Sequence, residues 1–236
     1  MITFFRRIRQ SLLSQKRLTQ YLLYALGEIV LVVIGILLAL QINNWNEERK
    51  ESKAIKDVLI EIREDLLQDQ VEFMRAIAIR KDDLNAQKRI IEVLETNGSL
   101  NERVLSDLGR INLSRPIFLV SKGYELLKEL KLGTLKDKKL RILLTKYYER
   151  DIPMVQQEFR DDNFEFEHYW LPYVRRHFKE WEFGRFAIPH DYEQLLDDKS
   201  LLTATRMNSN NANNTINAYN TALNTSSALI SILPDS

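Results

Sequence analysis

The stretch "RDDNFEFEHYW", residues 160–170, sets Asp161, Glu165 and His168 four and three residues apart, on one face of a helix. Glu165-x-x-His168 has the spacing by which di-iron bundles hold metal, but that chemistry needs a second such motif and further acids. No second E-x-x-H occurs, and His177 and His190 sit in unrelated contexts. Ser121, Lys122 and Tyr124 are close in sequence, yet adjacent residues point apart on a helix, which disfavours a Ser–Lys dyad. No G-x-S-x-G, H-E-x-x-H or phosphate-cradling glycine loop is present. With no cysteine, thiol nucleophiles, disulfides and Cys-ligated zinc are excluded. No catalytic residue, metal ligand or cofactor is therefore assigned, and the expectation is a protein that is not an enzyme.

The one ionisable residue in a special setting is Glu28, at the edge of the apolar run "GEIVLVVIGILLALQ". Tyr21 to Ile42 is 22 residues; at ~1.5 Å per residue the helix is about 33 Å long, enough for a ~30 Å hydrocarbon core. A central acid costs on the order of 3 kcal/mol on the insertion scale, and each Leu, Ile or Val returns roughly 0.3–0.6 kcal/mol. Ile29–Leu40 supplies enough of them for insertion to survive the glutamate. Gly35 and Ala39 lie seven and eleven residues beyond Glu28, nearly superimposed on it around a helix. An acid, a glycine and an alanine thus form one stripe, a small-xxx-small surface for close helix association. Placement of Glu28 at a wet interface, or on an ion pathway, are the alternatives.

Residues 1–20 carry Arg6, Arg7, Arg9, Lys16 and Arg17 and no acid, although the whole chain is balanced at +1. By the positive-inside rule this flank stays cytoplasmic and the residues after the span are exported. Tyr21, Tyr24 and Trp45 fall where interfacial aromatics anchor a span, as do Arg6, Arg7 and Arg9 among the apolar residues of "FFRRIRQSLLSQKRL". The exit "QINN" lacks a small-residue cleavage site, so the run reads as a retained anchor rather than a signal peptide. The expected organisation is a basic segment at 1–20, a transmembrane helix at 21–45 and a periplasmic helical domain at 46–236. The lipid bilayer is then a partner and nucleic acid is not.

Few glycines and prolines predict an all-α fold in which long first and last helices frame the bundle. Ile55, Leu59, Ile62, Leu66, Phe73, Ile77, Leu84, Ile91 and Leu94 make an amphipathic stripe that should stop at Asn97-Gly98, with Asp69, Arg80 and Gln87 interrupting it. Ser99 with Glu102 suggests a capping box, Gly133 a stop, Asp137 a cap, and Pro153 and Pro172 breaks or kinks. The Asn-, Ser- and Thr-rich tail hides a stripe from Leu202 through Thr205, Ser209, Ala212, Ile216 and Tyr219 to Leu233, predicting a last helix packed on the first. Aromatics crowded between Tyr147 and Phe186 suit a bundle-end core or a docking surface.

"YLLYALGEIVLVVIGILLALQINNWNE" resembles the leading signature of a family of uncharacterised single-pass inner-membrane proteins of gram-negative bacteria, with Glu28, Gly35, Asn43, Asn44 and Trp45 on the pattern. "YELLKELKLGTLKDKKLRILLTKYY" resembles its second signature at Tyr124, Leu127, Lys128, Gly133, Leu140, Arg141, Tyr147 and Tyr148. The resemblance implies location and topology and no activity. The function expected is a membrane-anchored assembly or scaffold subunit, homo-oligomeric or bound to another membrane or periplasmic protein. An ion-coupled unit using Glu28 and a periplasmic ligand sensor are its rivals.

Overall fold

The computed structural model describes residues 18–130, 133 and 135–235, with side chains from Leu22 onward. The basic lead, including Arg6, Arg7 and Arg9, and the side chain of Tyr21 lie outside the described residues. The chain parts between Ala54 and Ile55 into two compact units. Helix α1, Leu18–Thr96, enters both.

In the first unit every large aliphatic side chain from Leu22 to Ile42 is 46–73% exposed, so this stretch has no apolar partner among the described residues. It is long and apolar enough to cross a membrane.

The second unit is a helical bundle with one small hairpin. Along α1 the stripe is buried at Leu59, Ile62, Leu66, Phe73, Ile77, Leu84 and Leu94, but near the end it passes through Ile90 rather than Ile91. Asn97 ends the helix in the left-handed region (φ 52°), and the Gly98 N–H returns to the Val93 carbonyl at 2.9 Å. Asparagine fills this position because its short polar side chain tolerates left-handed backbone. Helix α2, Glu102–Leu108, starts two residues after the point where the Ser99 capping box would place it. Asn101 is the cap, accepting from the Val104 N–H at 3.0 Å. Helices α3 (Lys122–Glu129) and α4 (Lys138–Lys146) follow, the latter capped by Asp137 as expected.

The two prolines do not break the helix. Tyr147–Asp151 and Phe166–Trp170 are π-helical turns, and each leads without a gap into the next helix, α5 (Ile152–Glu165) and α6 (Leu171–His177). Pro153 and Pro172 occupy the first turn after each π-turn, where a missing N–H costs least and the wider ring relieves the clash with the preceding turn.

Strands β1 (Phe178–Glu182) and β2 (Phe186–Pro189) form an antiparallel pair in register Trp181↔Ala187, and Gly184 turns between them at φ 73°. This hairpin departs from a purely helical reading. Helix α7 (Tyr192–Leu196) precedes the last helix, α8 (Lys199–Ile230), which Asp198 caps. The polar stripe of α8 is real: Thr205, Ser209, Ala212, Ile216, Tyr219 and Ser226 are buried. It packs on α1, where Phe73 and Tyr219 lie 5.9 Å apart and Gln70 donates to Ser227 at 2.8 Å.

Two apolar clusters hold the bundle. One joins Ile62, Leu66, Phe73, Leu144, Val155 and Tyr219 across α1, α4, α5 and α8. The other gathers Ile90, Leu108, Trp170, Phe178, Ala187 and Leu201 beneath the hairpin, so the crowded aromatics build core here.

Candidate functional site

On α1, Gly35 and Ala39 each fall within about 20° of Glu28 around the axis. Glu28 and Tyr24 are half-buried, and Gly35 and Ala39 are exposed. A Cβ built on Gly35 meets nothing within 4 Å. Trp45, expected as an interfacial anchor, is 63% exposed and carries the Arg49 guanidinium 6.0 Å from its ring centroid.

The sequence-level chemical constellations dissolve into structural roles. Asp161 accepts from Gln157 at 2.7 Å, while His168 stacks on Phe164 and holds its Nδ1 3.0 Å from that residue's carbonyl. Among the described residues no group of three metal-ligating side chains converges. His177 stacks on Tyr173 at 4.2 Å. Ser121 precedes α3, Lys122 lies 3.6 Å from Glu61, and Tyr124 donates to Glu149 at 2.8 Å.

The polar residues that interrupt the α1 stripe are the bundle's registration points, each buried against a partner far away in sequence. Asp65 accepts from the Gly123 N–H at 3.1 Å, and Asp69 accepts from Tyr147 at 2.7 Å and from the Val120 N–H at 2.9 Å. Arg80 pairs with Asp162 and donates to the Leu113 carbonyl, and Asp83 takes Arg115 at 2.8 Å. Gln87 donates to Asn208 at 2.6 Å. Burial pushes Asp65 up, and it lifts Asp69 to about 6 against its two hydrogen bonds. Burial, followed by the Asp69 charge, drives the hydroxyls of Tyr147 and Tyr148 upward, keeping both neutral. Tyr148 meanwhile stacks on Tyr124 at 4.2 Å and meets Tyr147 edge-on at 4.8 Å. Of the second signature, Tyr124, Leu127, Leu140, Tyr147 and Tyr148 are buried core.

A groove of about 780 Å³ opens in the bundle where α8 passes the π-turn and α6. One wall is Glu165, Tyr169, Tyr173 and Arg176, with Trp170 behind; the other is Ser200, Thr203, Met207 and Asn211. Asn112, in the left-handed region at φ 53°, also lines it. Tyr173 stacks on Trp170 at 5.5 Å and donates to Asp198 at 2.6 Å. Burial opposes ionisation of Asp198, but the Tyr173 hydroxyl and the N–H groups of Leu201 and Ser200 hold its carboxyl below the usual range. The sequence offered this aromatic stretch as a core or a docking surface for a protein or ligand, without locating the groove. Its signal was present as steps of four, four and three from Glu165 through Tyr169 and Tyr173 to Arg176.

These elements define a helix-rich protein in which one long apolar helix leads into a polar-registered bundle. The chain belongs to DUF6090, a family of unknown function, whose model matches residues 28–158. The match opens at Glu28 and takes in α2, α3, α4 and all five of the α1 registration points, while their partners Asp162 and Asn208 lie beyond it. No curated protein and no solved structure matches the chain.

Proposed function

We propose that the protein is a membrane-anchored assembly or scaffold subunit rather than an enzyme, self-associating through its apolar helix. In this reading α1 spans a bacterial inner membrane, the basic lead stays cytoplasmic and the bundle is periplasmic. The observation that carries it is the continuous exposed apolar surface from Leu22 to Ile42, bearing Glu28, Gly35 and Ala39 on one stripe. Lipid covers most of such a surface, but small residues at four-residue spacing let two backbones approach closely enough for dispersion contacts and interhelical hydrogen bonds. A half-buried acid on that stripe is cheaper inside a helix–helix interface than facing hydrocarbon. The polar registration of the bundle supports the same role, since rigid elements position partners better than loops.

Gly35→Leu tests the reading. Because a Cβ at Gly35 meets nothing within 4 Å, the larger side chain costs the single chain no contact of its own. Energy transfer between differently labelled copies in liposomes should fall to the level of a non-associating span in the variant, while far-ultraviolet circular dichroism stays unchanged. Unaltered transfer for both Gly35→Leu and Ala39→Leu excludes this face as the interface.

A further inference from the structure

We infer that the groove between α6 and α8 is a binding site for a small organic anion with a flat aromatic body. The site is separate from the helix-association surface and does not depend on it. Its volume, about 780 Å³, falls within the roughly 300–1,000 Å³ usual for small-molecule clefts. Its floor and one wall are aromatic: Trp170 and Tyr173 stack nearly parallel, at 12°, and Tyr169 stands 61% exposed beside them. An exposed tyrosine edge next to a stacked pair is a surface on which another flat ring can lie.

The charge is cationic and available. Arg176 and Lys199 line the groove, and neither has an ion-pair partner among the described residues. The Arg176 Nε donates to the Pro172 carbonyl at 3.2 Å, which orients the guanidinium and leaves its two terminal nitrogens for a ligand. Glu165 is the single acid of the lining, and the nearby Asp198 carboxylate is already engaged by the Tyr173 hydroxyl and the N–H groups of Ser200 and Leu201. A carboxylate or sulfonate meets this arrangement through charge-assisted, two-pronged hydrogen bonds.

Two further observations mark the groove as more than a packing gap. Trp170 Nε1, a donor, and Asn112 Oδ1, an acceptor, are buried on lining residues without a hydrogen-bond partner among the described residues. The aromatic wall is itself built on a π-turn, Phe166–Trp170, and Asn112 holds left-handed backbone at φ 53°. Irregular helix turns of this kind recur at functional sites.

The test is calorimetric titration of the full chain in lipid nanodiscs with naphthalene-2-carboxylate and, separately, its neutral amide, naphthalene-2-carboxamide, with empty nanodiscs as blank. The carboxylate should bind saturably and roughly tenfold more tightly than the amide, the order expected of one charge-assisted hydrogen bond. Arg176→Gln combined with Lys199→Gln should bring the carboxylate down to the affinity of the amide, and Met207→Trp should block both probes by filling the groove. All three positions are exposed, so thermal midpoints should hold. Should a variant fail to fold, the salt dependence of the wild type decides: only the carboxylate should weaken with added salt. Absence of saturable binding up to about 1 mM, equal affinity for the two probes, or binding that survives Met207→Trp overturns the assignment.

Discussion

Asp69→Asn isolates the electrostatics of the bundle interior. Asp69 is 1% exposed, and burial lifts its pKa from 3.8 to about 6. A raised carboxyl pKa means the folded state holds a proton that the unfolded chain has already lost. The stability linked to that proton is complete below pH ~4 and is lost as pH rises through ~6. A gap of about two units is worth on the order of 3 kcal/mol for this enclosed carboxylate. The amide of the variant is neutral throughout. Its oxygen can accept from Val120 N–H, and its NH₂ can face the Tyr147 hydroxyl, which turns round to accept. The second amide hydrogen and the turned hydroxyl's own hydrogen are then left over in the interior, at a cost of about 1–3 kcal/mol. The variant should therefore be the weaker protein near pH 4, and the balance should move in its favour by about 3 kcal/mol on going to pH 8. Urea unfolding of the full chain in mild detergent, followed by circular dichroism across this range, reads the difference. Every other carboxylate is common to both proteins, and only Asp65 and Glu72, whose charges help to raise Asp69, also feel the loss of its charge. A stability difference that stays constant with pH refutes the reasoning.

The buried Arg80–Asp162 pair should behave as a unit. Arg80→Met alone should cost about 3–5 kcal/mol by stranding Asp162, and adding Asp162→Leu should recover a large part of it; strictly additive losses in denaturant titrations would contradict the pairing. Gly109→Ala should lower the thermal midpoint steeply, because its Cβ would lie 2.3 Å from the Phe186 nitrogen, a backbone atom that cannot swing aside. Gly98→Ala, whose Cβ would meet Val93 at 3.4 Å, should leave the midpoint near that of the wild type.

What was legible in the sequence was local and periodic. The apolar run of α1 and the stripe of α8 both stood out because a helix repeats its buried face every three to four residues, even when Thr205, Ser209 and Ser226 supply that face. Asp69, Arg80 and Gln87 were visible only as interruptions. Their partners Tyr147, Asp162 and Asn208 lie 78, 82 and 121 positions away, and no local spacing encodes such pairings.

Elsewhere two local rules competed. Asn101 won the cap over Ser99 because its own side chain reaches the Val104 N–H. Pro153 and Pro172 signalled breaks or kinks, and the helix continues through both because each follows a π-turn that accommodates the ring. The hairpin and the groove were the least legible. "FKEWEFGRFAIP" is short, aromatic and flanked by helix, so its turn at Gly184 competed with a strong helical context. The groove depends on two helices that face each other without meshing, a property of tertiary packing and not of either stripe alone.

Self-association of the chain is the central claim, and native mass measurement on complexes released in patches of their own membrane tests it most directly. The account predicts an integer multiple, above one, of the 27.8 kDa chain, reduced to the single chain by Gly35→Leu. A wild-type species that remains a single chain in those patches, or an oligomer that Gly35→Leu leaves intact, would contradict it.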